Sequence, residues 1–69
     1  KEDLETAIRY LKKALEIDHN FDRAHYNLGL VYLAQEKKED AAKEFKETFK
    51  LSPSTIWGQL AKQHLEGLK

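Results

Sequence analysis

Cysteine is absent from the 69-residue chain, so no disulfide framework supports the fold and neither thiolate chemistry nor a zinc–cysteine site is available. Net charge is absent as well. Twelve basic residues balance twelve acidic ones without a cluster of either sign, which argues against nucleic acid or an anionic membrane as the main partner. No apolar run approaches the roughly 20 residues of a membrane span, and the charged opening Lys1-Glu2-Asp3 is not a signal peptide. That opening has no initiator methionine, from which we expect a piece of a longer protein; nothing in it specifies a compartment. With one proline and three glycines the chain has few breakers, and its wealth of Lys, Glu, Leu and Ala favours helices throughout. Strand signals are missing: there is neither sustained apolar–polar alternation nor an Asn-Gly or Asp-Gly hairpin turn. A chain this short forms at most one domain, of a size where a single core is marginally stable.

What is present is helical spacing. Leu4, Ala7, Ile8, Leu11, Ala14 and Leu15 fall on one face of a helix over about Asp3 to Asp18, with Glu5, Arg9, Lys12, Lys13 and Glu16 as a solvated face. His19-Asn20-Phe21-Asp22 breaks the pattern. Asp22 is a suitable N-cap for a second helix over about Arg23 to Gln35, with Phe21 placed to staple onto Tyr26. Glu36-Lys37-Lys38 forms a polar turn without the glycine that would cap the helix cheaply; a left-handed conformation at any of these residues would cost roughly 1 kcal/mol. A third helix starts at Glu39 or Asp40 and buries Ala41, Ala42, Phe45, Thr48, Phe49 and Leu51; Ser52-Pro53 ends it. Ser54 can cap a fourth helix from Thr55 to about Leu68. It has Trp57, Leu60, Ala61, His64, Leu65 and Leu68 inward and Gln59, Lys62, Gln63, Glu66 and Lys69 outward. Gly58 and Gly67 should weaken this helix by about 1 kcal/mol each and fray its ends.

The run Ala24–Ala34 does not fit a single-stripe helix, being apolar almost all round about Gly29. Taken alone, Leu28–Ala34 could equally be a buried strand. A self-comparison decides the matter. Displaced by 34 residues, Glu5 meets Glu39, Ala7 meets Ala41, Leu11 meets Phe45, Lys12 meets Lys46, Leu15 meets Phe49 and Ile17 meets Leu51. Within the period from Asp22 to Thr55, His25, Leu28, Gly29, Tyr32, Ala41, Phe45 and Pro53 stand at the spacings W-x2-L-G-x2-Y, A-x3-F and P. This pattern resembles the tetratricopeptide repeat. His25 departs from the family's tryptophan-type aromatic, and Thr48 stands where an alanine is usual. The resemblance covers residues 1–55 and implies an all-α fold of antiparallel helix-turn-helix repeats, a fragment of an α-solenoid with about four helices. Residues 1–21 would be the second helix of a partial repeat, 22–55 a complete repeat, and 56–69 a C-terminal capping or partial-repeat helix. For the last of these a 34-residue displacement sets Lys62 against Leu28, whereas 32 residues aligns Trp57 with His25, Leu60 with Leu28 and Ala61 with Gly29, so the shorter register is preferred. Its polar outer residues favour a cap.

The resemblance further implies a protein–protein interaction module that binds a partner peptide in a concave groove lined by each repeat's first helix. On this chain the groove would be Arg23, Tyr26, Asn27, Leu30 and Leu33, continued by Gln59 and Lys62. Asn27 resembles an asparagine that family members use on a ligand's backbone or terminal carboxylate, but Tyr26 and Leu30 hold the comparable clamp positions. An apolar or mixed peptide is therefore expected, with Arg23 and Lys62 available for a polar hold. The alternative is a structural role, a repeat-stacking segment that forms a homo-oligomer through the incompletely covered Leu4, Ile8, Leu11 and Leu15 face of the first helix.

Other chemistry finds little to stand on. His19, His25 and His64 lack the spacing of metal ligands, and no phosphate loop, nucleophile elbow or Gly-rich fingerprint occurs. No enzyme activity, metal or cofactor is expected, and neither nucleic acid nor membrane is expected as a partner.

Overall fold

In a computed structural model of the chain, residues 3–68 are described, and they form four helices and no strand. These are α1 (Leu4–Ile17), α2 (Asp22–Ala34), α3 (Lys38–Leu51) and α4 (Ile56–Gly67). Lys69, expected on the polar side of α4, lies outside the described residues.

Each helix starts where a side chain or the chain's own geometry allows. Asp3 caps α1: its Oδ1 accepts from the Thr6 amide at 3.2 Å and its Oδ2 from the Thr6 hydroxyl. The hydroxyl bond first, then the amide bond, hold the Asp3 carboxyl below the usual carboxylate range. The other caps fall one residue from their expected places. Phe21 rather than Asp22 is the N-cap of α2, and Asp22 instead accepts hydrogen bonds from the Arg23 amide and the Ser52 hydroxyl. Phe21 is exposed, and Tyr26, its expected staple partner, has its ring against Phe45, Trp57 and His64. Helix α3 begins at Lys38, slightly before Glu39. Thr55, not Ser54, caps α4, its Oγ1 accepting from the Gly58 amide at 3.3 Å. The left-handed residue of the α2–α3 turn is Glu36, with φ 61. Its amide donates to Leu33 O and the Lys37 amide to Tyr32 O, both at 2.9 Å, the paired bonds that close a helix through a left-handed residue.

Helix α2 is the centre of the molecule. It packs on α1, α3 and α4, whereas α1 packs on α2 alone. That explains a helix apolar on several sides: Ala24 and Leu28 are 2% and 1% exposed, and Gly29 is buried. Gly29 lets α3 approach, because a Cβ there would stand 2.7 Å from the Phe45 ring. Phe45 is fully buried and stacks on His64 with ring centroids 4.7 Å apart, while Ala41, Thr48 and Ala61 close the space around it. Thr48 is accommodated in place of alanine because its hydroxyl donates to the Glu44 carbonyl at 3.0 Å.

One expectation about α4 is corrected. Gly58 is a packing requirement rather than a weak point: it is buried, and a Cβ on it would come within 1.8 Å of the Ser52 carbonyl oxygen. Burial along α4 runs parallel to that of α2 at the 32-residue displacement: Gly58 and Ala61 are buried as Tyr26 and Gly29 are, and Gln59 and Lys62 are exposed as Asn27 and Leu30 are. Gly58, Lys62 and Leu65 face α3, with the Lys62 ammonium 6.0 Å from the Phe49 ring centroid and Leu65 beside it. The Lys62 stem can lie along apolar surface there while its ammonium reaches water.

Candidate functional site: the exposed strip of α2

Helical spacing puts Arg23, Asn27 and Leu30 on one strip of α2, and all three are exposed. Leu30 is 37% exposed, unusual on a helix whose other leucines are half-buried or buried. Beside the strip stands Trp57 of α4, half-buried, with the Arg23 guanidinium carbon 5.5 Å from its ring centroid. A guanidinium held over an indole face keeps its donors free at the edge, and the ring fixes the side chain's direction. The strip therefore offers a cation, a carboxamide that can both donate and accept, and an apolar side chain.

The other expected groove residues are placed differently. Tyr26 is only 8% exposed and belongs to the core: its ring lies 5.7 Å from Phe45 and 5.5 Å from Trp57, and its hydroxyl is 3.1 Å from His64 Nε2. Position on the strip's side of α2 did not mean exposure, because α4 packs across that side. Leu33 is half-buried against the same cluster. Gln59 is turned to the α3–α4 connection, its Nε2 donating to Pro53 O at 2.8 Å. Lys62 stands over Phe49 on the α3 side of α4. Neither continues the Arg23–Asn27–Leu30 strip. Trp57, in turn, was legible only as core, and its place beside Arg23 follows from α4 packing across α2.

The histidines have packing partners. His25 Nδ1 is 2.8 Å from Glu44 Oε1 and its Nε2 donates to His19 O at 3.0 Å, so it ties the α1–α2 turn to α3 where the repeat usually has a large aromatic. Among the described residues no three His, Cys, Asp or Glu side chains are grouped as metal ligands would be. Among the described residues no helix is long and apolar enough to cross a membrane.

The geometry repeats what the spacing implied, and the comparisons with known proteins agree. A family profile described as TPR repeat matches residues 1–36, and the tetratricopeptide repeat profile matches residues 22–55. The chain belongs to the tetratricopeptide repeat family. Repeats of this family generally mediate protein–protein interactions and are generally not enzymes. No curated protein and no solved structure gave a match.

Proposed function

We propose that this tetratricopeptide repeat segment holds a partner peptide of apolar or mixed character against the Arg23–Asn27–Leu30 strip and the Trp57 ring. The observation that carries this reading is Leu30, an exposed leucine flanked by a guanidinium already fixed on an aromatic face. An apolar side chain of the peptide would cover Leu30, Asn27 would bond its backbone, and Arg23 would meet a carboxylate or carbonyl at the rim. Peptides selected from a displayed library on the wild-type protein test this. Leu30→Ala and Arg23→Ala should each weaken the selected peptides about tenfold, the effect of losing roughly 1.4 kcal/mol, with an unchanged circular-dichroism spectrum. Peptides that bind both variants as tightly as the wild type would overturn the reading. Tyr26→Ala is unsuitable for this purpose, since it would empty part of the core.

Self-association through α1 is a second reading, favoured by Tyr10 and Ile17, which are 73% and 82% exposed. The Leu4, Ile8, Leu11 and Leu15 face is less open than the sequence suggested, Ile8 being buried on α2 and the three leucines half-buried. Light scattering over a concentration series, with Tyr10→Lys and Ile17→Lys as comparison, reads this directly. A monomer at every concentration would dismiss it.

A further inference from the structure

We propose that His25 is a proton-operated latch: as an imidazolium it fastens the end of α1 to α3, and as a neutral ring it gives up one of the two bonds that do so. Its ring stands between two acceptors. Nδ1 is 2.8 Å from Glu44 Oε1 on α3, and Nε2 is 3.0 Å from the His19 carbonyl oxygen in the α1–α2 turn. A neutral imidazole carries one N–H, so either tautomer leaves its bare nitrogen facing an oxygen lone pair at hydrogen-bond distance. Only the imidazolium donates to both. A proton placed on the carboxylate would also complete the pair, but imidazole is the stronger base. The His25 and Glu44 side chains are only 13% and 21% exposed, so water does not readily fill the gap left by a missing proton.

The other two histidines have no such demand. His64 Nε2 faces the Tyr26 hydroxyl at 3.1 Å, a group that donates to a bare nitrogen and accepts from an N–H, so that bond closes in either charge state. His19 is exposed and has one acceptor, the Leu15 carbonyl oxygen 3.2 Å from its Nδ1, which a single N–H satisfies. The remaining charges near the latch do not supply its missing bond. From the α1 side Lys12, Glu16 and His19 line the open groove that Glu44 also borders, and all three are exposed. On α2, Asp22 stands one turn before His25 and is engaged by the Arg23 amide and the Ser52 hydroxyl. On α3, Thr48 stands one turn after Glu44 and is uncharged, its hydroxyl donating to the Glu44 carbonyl. Among the described residues His25–Glu44 is the one ion pair.

The latch matters because of what it joins. Helix α1 packs on α2 alone, and the His25 ring adds a tie from the turn at its C-terminal end to α3. The folded arrangement favours the charged ring. Its contribution is therefore full at the acid end of the range in which histidine changes charge, about pH 5 to 8, and fades as pH rises through that range. Helix α1 is held most firmly in acid and loosens toward alkali, while the α2–α3–α4 unit keeps its own packing.

Nitrogen chemical shifts of the imidazole rings in the wild-type protein read the proton directly. At about pH 6 His25 should show both ring nitrogens protonated. Amide exchange, divided by the intrinsic rate at each pH, reads the consequence. Protection of residues 14–17, relative to the amides around Phe45, should fall about tenfold between about pH 6 and about pH 8, the loss of one charge-assisted hydrogen bond. Glu44→Gln supplies the control. Its carboxamide can donate to the bare nitrogen of a neutral ring, so the latch closes without the extra proton. Protection of residues 14–17 should then be the same at both pH values and exceed that of the wild type at the higher one. A His25 ring with one bare nitrogen at the lower pH, or α1 protection that does not change with pH, would overturn the proposal. So would an equal fall in Glu44→Gln, which would place the effect on His19 at the C-terminal end of α1.

Discussion

Helices α1 and α3 occupy the same place in the repeat and differ in what surrounds them. Ala7, Leu11 and Ala14 of α1 correspond to Ala41, Phe45 and Thr48 of α3, 34 residues later. The three in α3 are fully buried, whereas the three in α1 are only half-buried. The cause is not helix quality, since α1 is well capped by Asp3 and no shorter than α3. It is the number of neighbours: α3 lies against both α2 and α4, and α1 against α2 only. A repeat position specifies a helix and its inward face; how much that face contributes depends on what the next helix covers.

The largest effect that could break this comparison is deletion of matched side chains. Phe45→Ala should cost about 3–5 kcal/mol, enough to unfold a domain of this size, while Leu11→Ala at the corresponding half-buried place should cost about 1–2 kcal/mol. Urea unfolding followed by circular dichroism measures both. Equal losses would mean that α1 is as deeply integrated as α3, contrary to its burial.

A smaller effect sharpens the same contrast. In Gly29→Ala the new methyl group would press on the Phe45 ring, and a loss of about 1–3 kcal/mol is expected. Adding Phe45→Leu installs in α3 the leucine that α1 carries as Leu11 and removes part of that pressure. The double variant should therefore be less destabilised than the sum of the singles, by about 1 kcal/mol in a double-mutant cycle. Strict additivity would show that the glycine serves something other than the approach of α3.

The contrast also explains what was legible in the sequence. Leu28, Gly29, Ala41, Phe45 and Pro53 could be placed in advance because the repeat spacing couples each to a definite partner on the adjacent helix. Tyr26 could not. A helix with three neighbours is apolar on most sides, so its periodicity no longer distinguishes an inward side chain from an outward one. Arg23, Asn27 and Leu30 were recognisable as a strip, but the position of Trp57 beside them depended on how α4 packs across α2. Nor was the role of Gly58 legible, since its need to fit against the Ser52 carbonyl is a matter of backbone proximity with no sequence period.

The two inter-helix turns that present α2 to its neighbours differ as well, and this gives the smallest effect. At the α1–α2 turn the chain leaves through Asp18 in an extended conformation, φ −142, with no positive φ required. The α2–α3 turn requires φ 61 at Glu36, where a side chain is strained by roughly 1 kcal/mol and glycine is not. Glu36→Gly keeps both turn amides bonded, to Leu33 O and Tyr32 O, so strain relief should outweigh the greater freedom of glycine in the unfolded chain. A net gain of about 0.5–1 kcal/mol is expected, read as a higher urea midpoint at unchanged slope. Amide exchange would locate it. Because unfolding of the α2–α3–α4 unit requires this turn to open, exchange of buried amides around Phe45 should slow, while the first turn of α1, which frays without disturbing that unit, should exchange as before. Equal slowing in both places would make α1 part of the same cooperative unit and reduce the difference between the two helices to one of exposure alone.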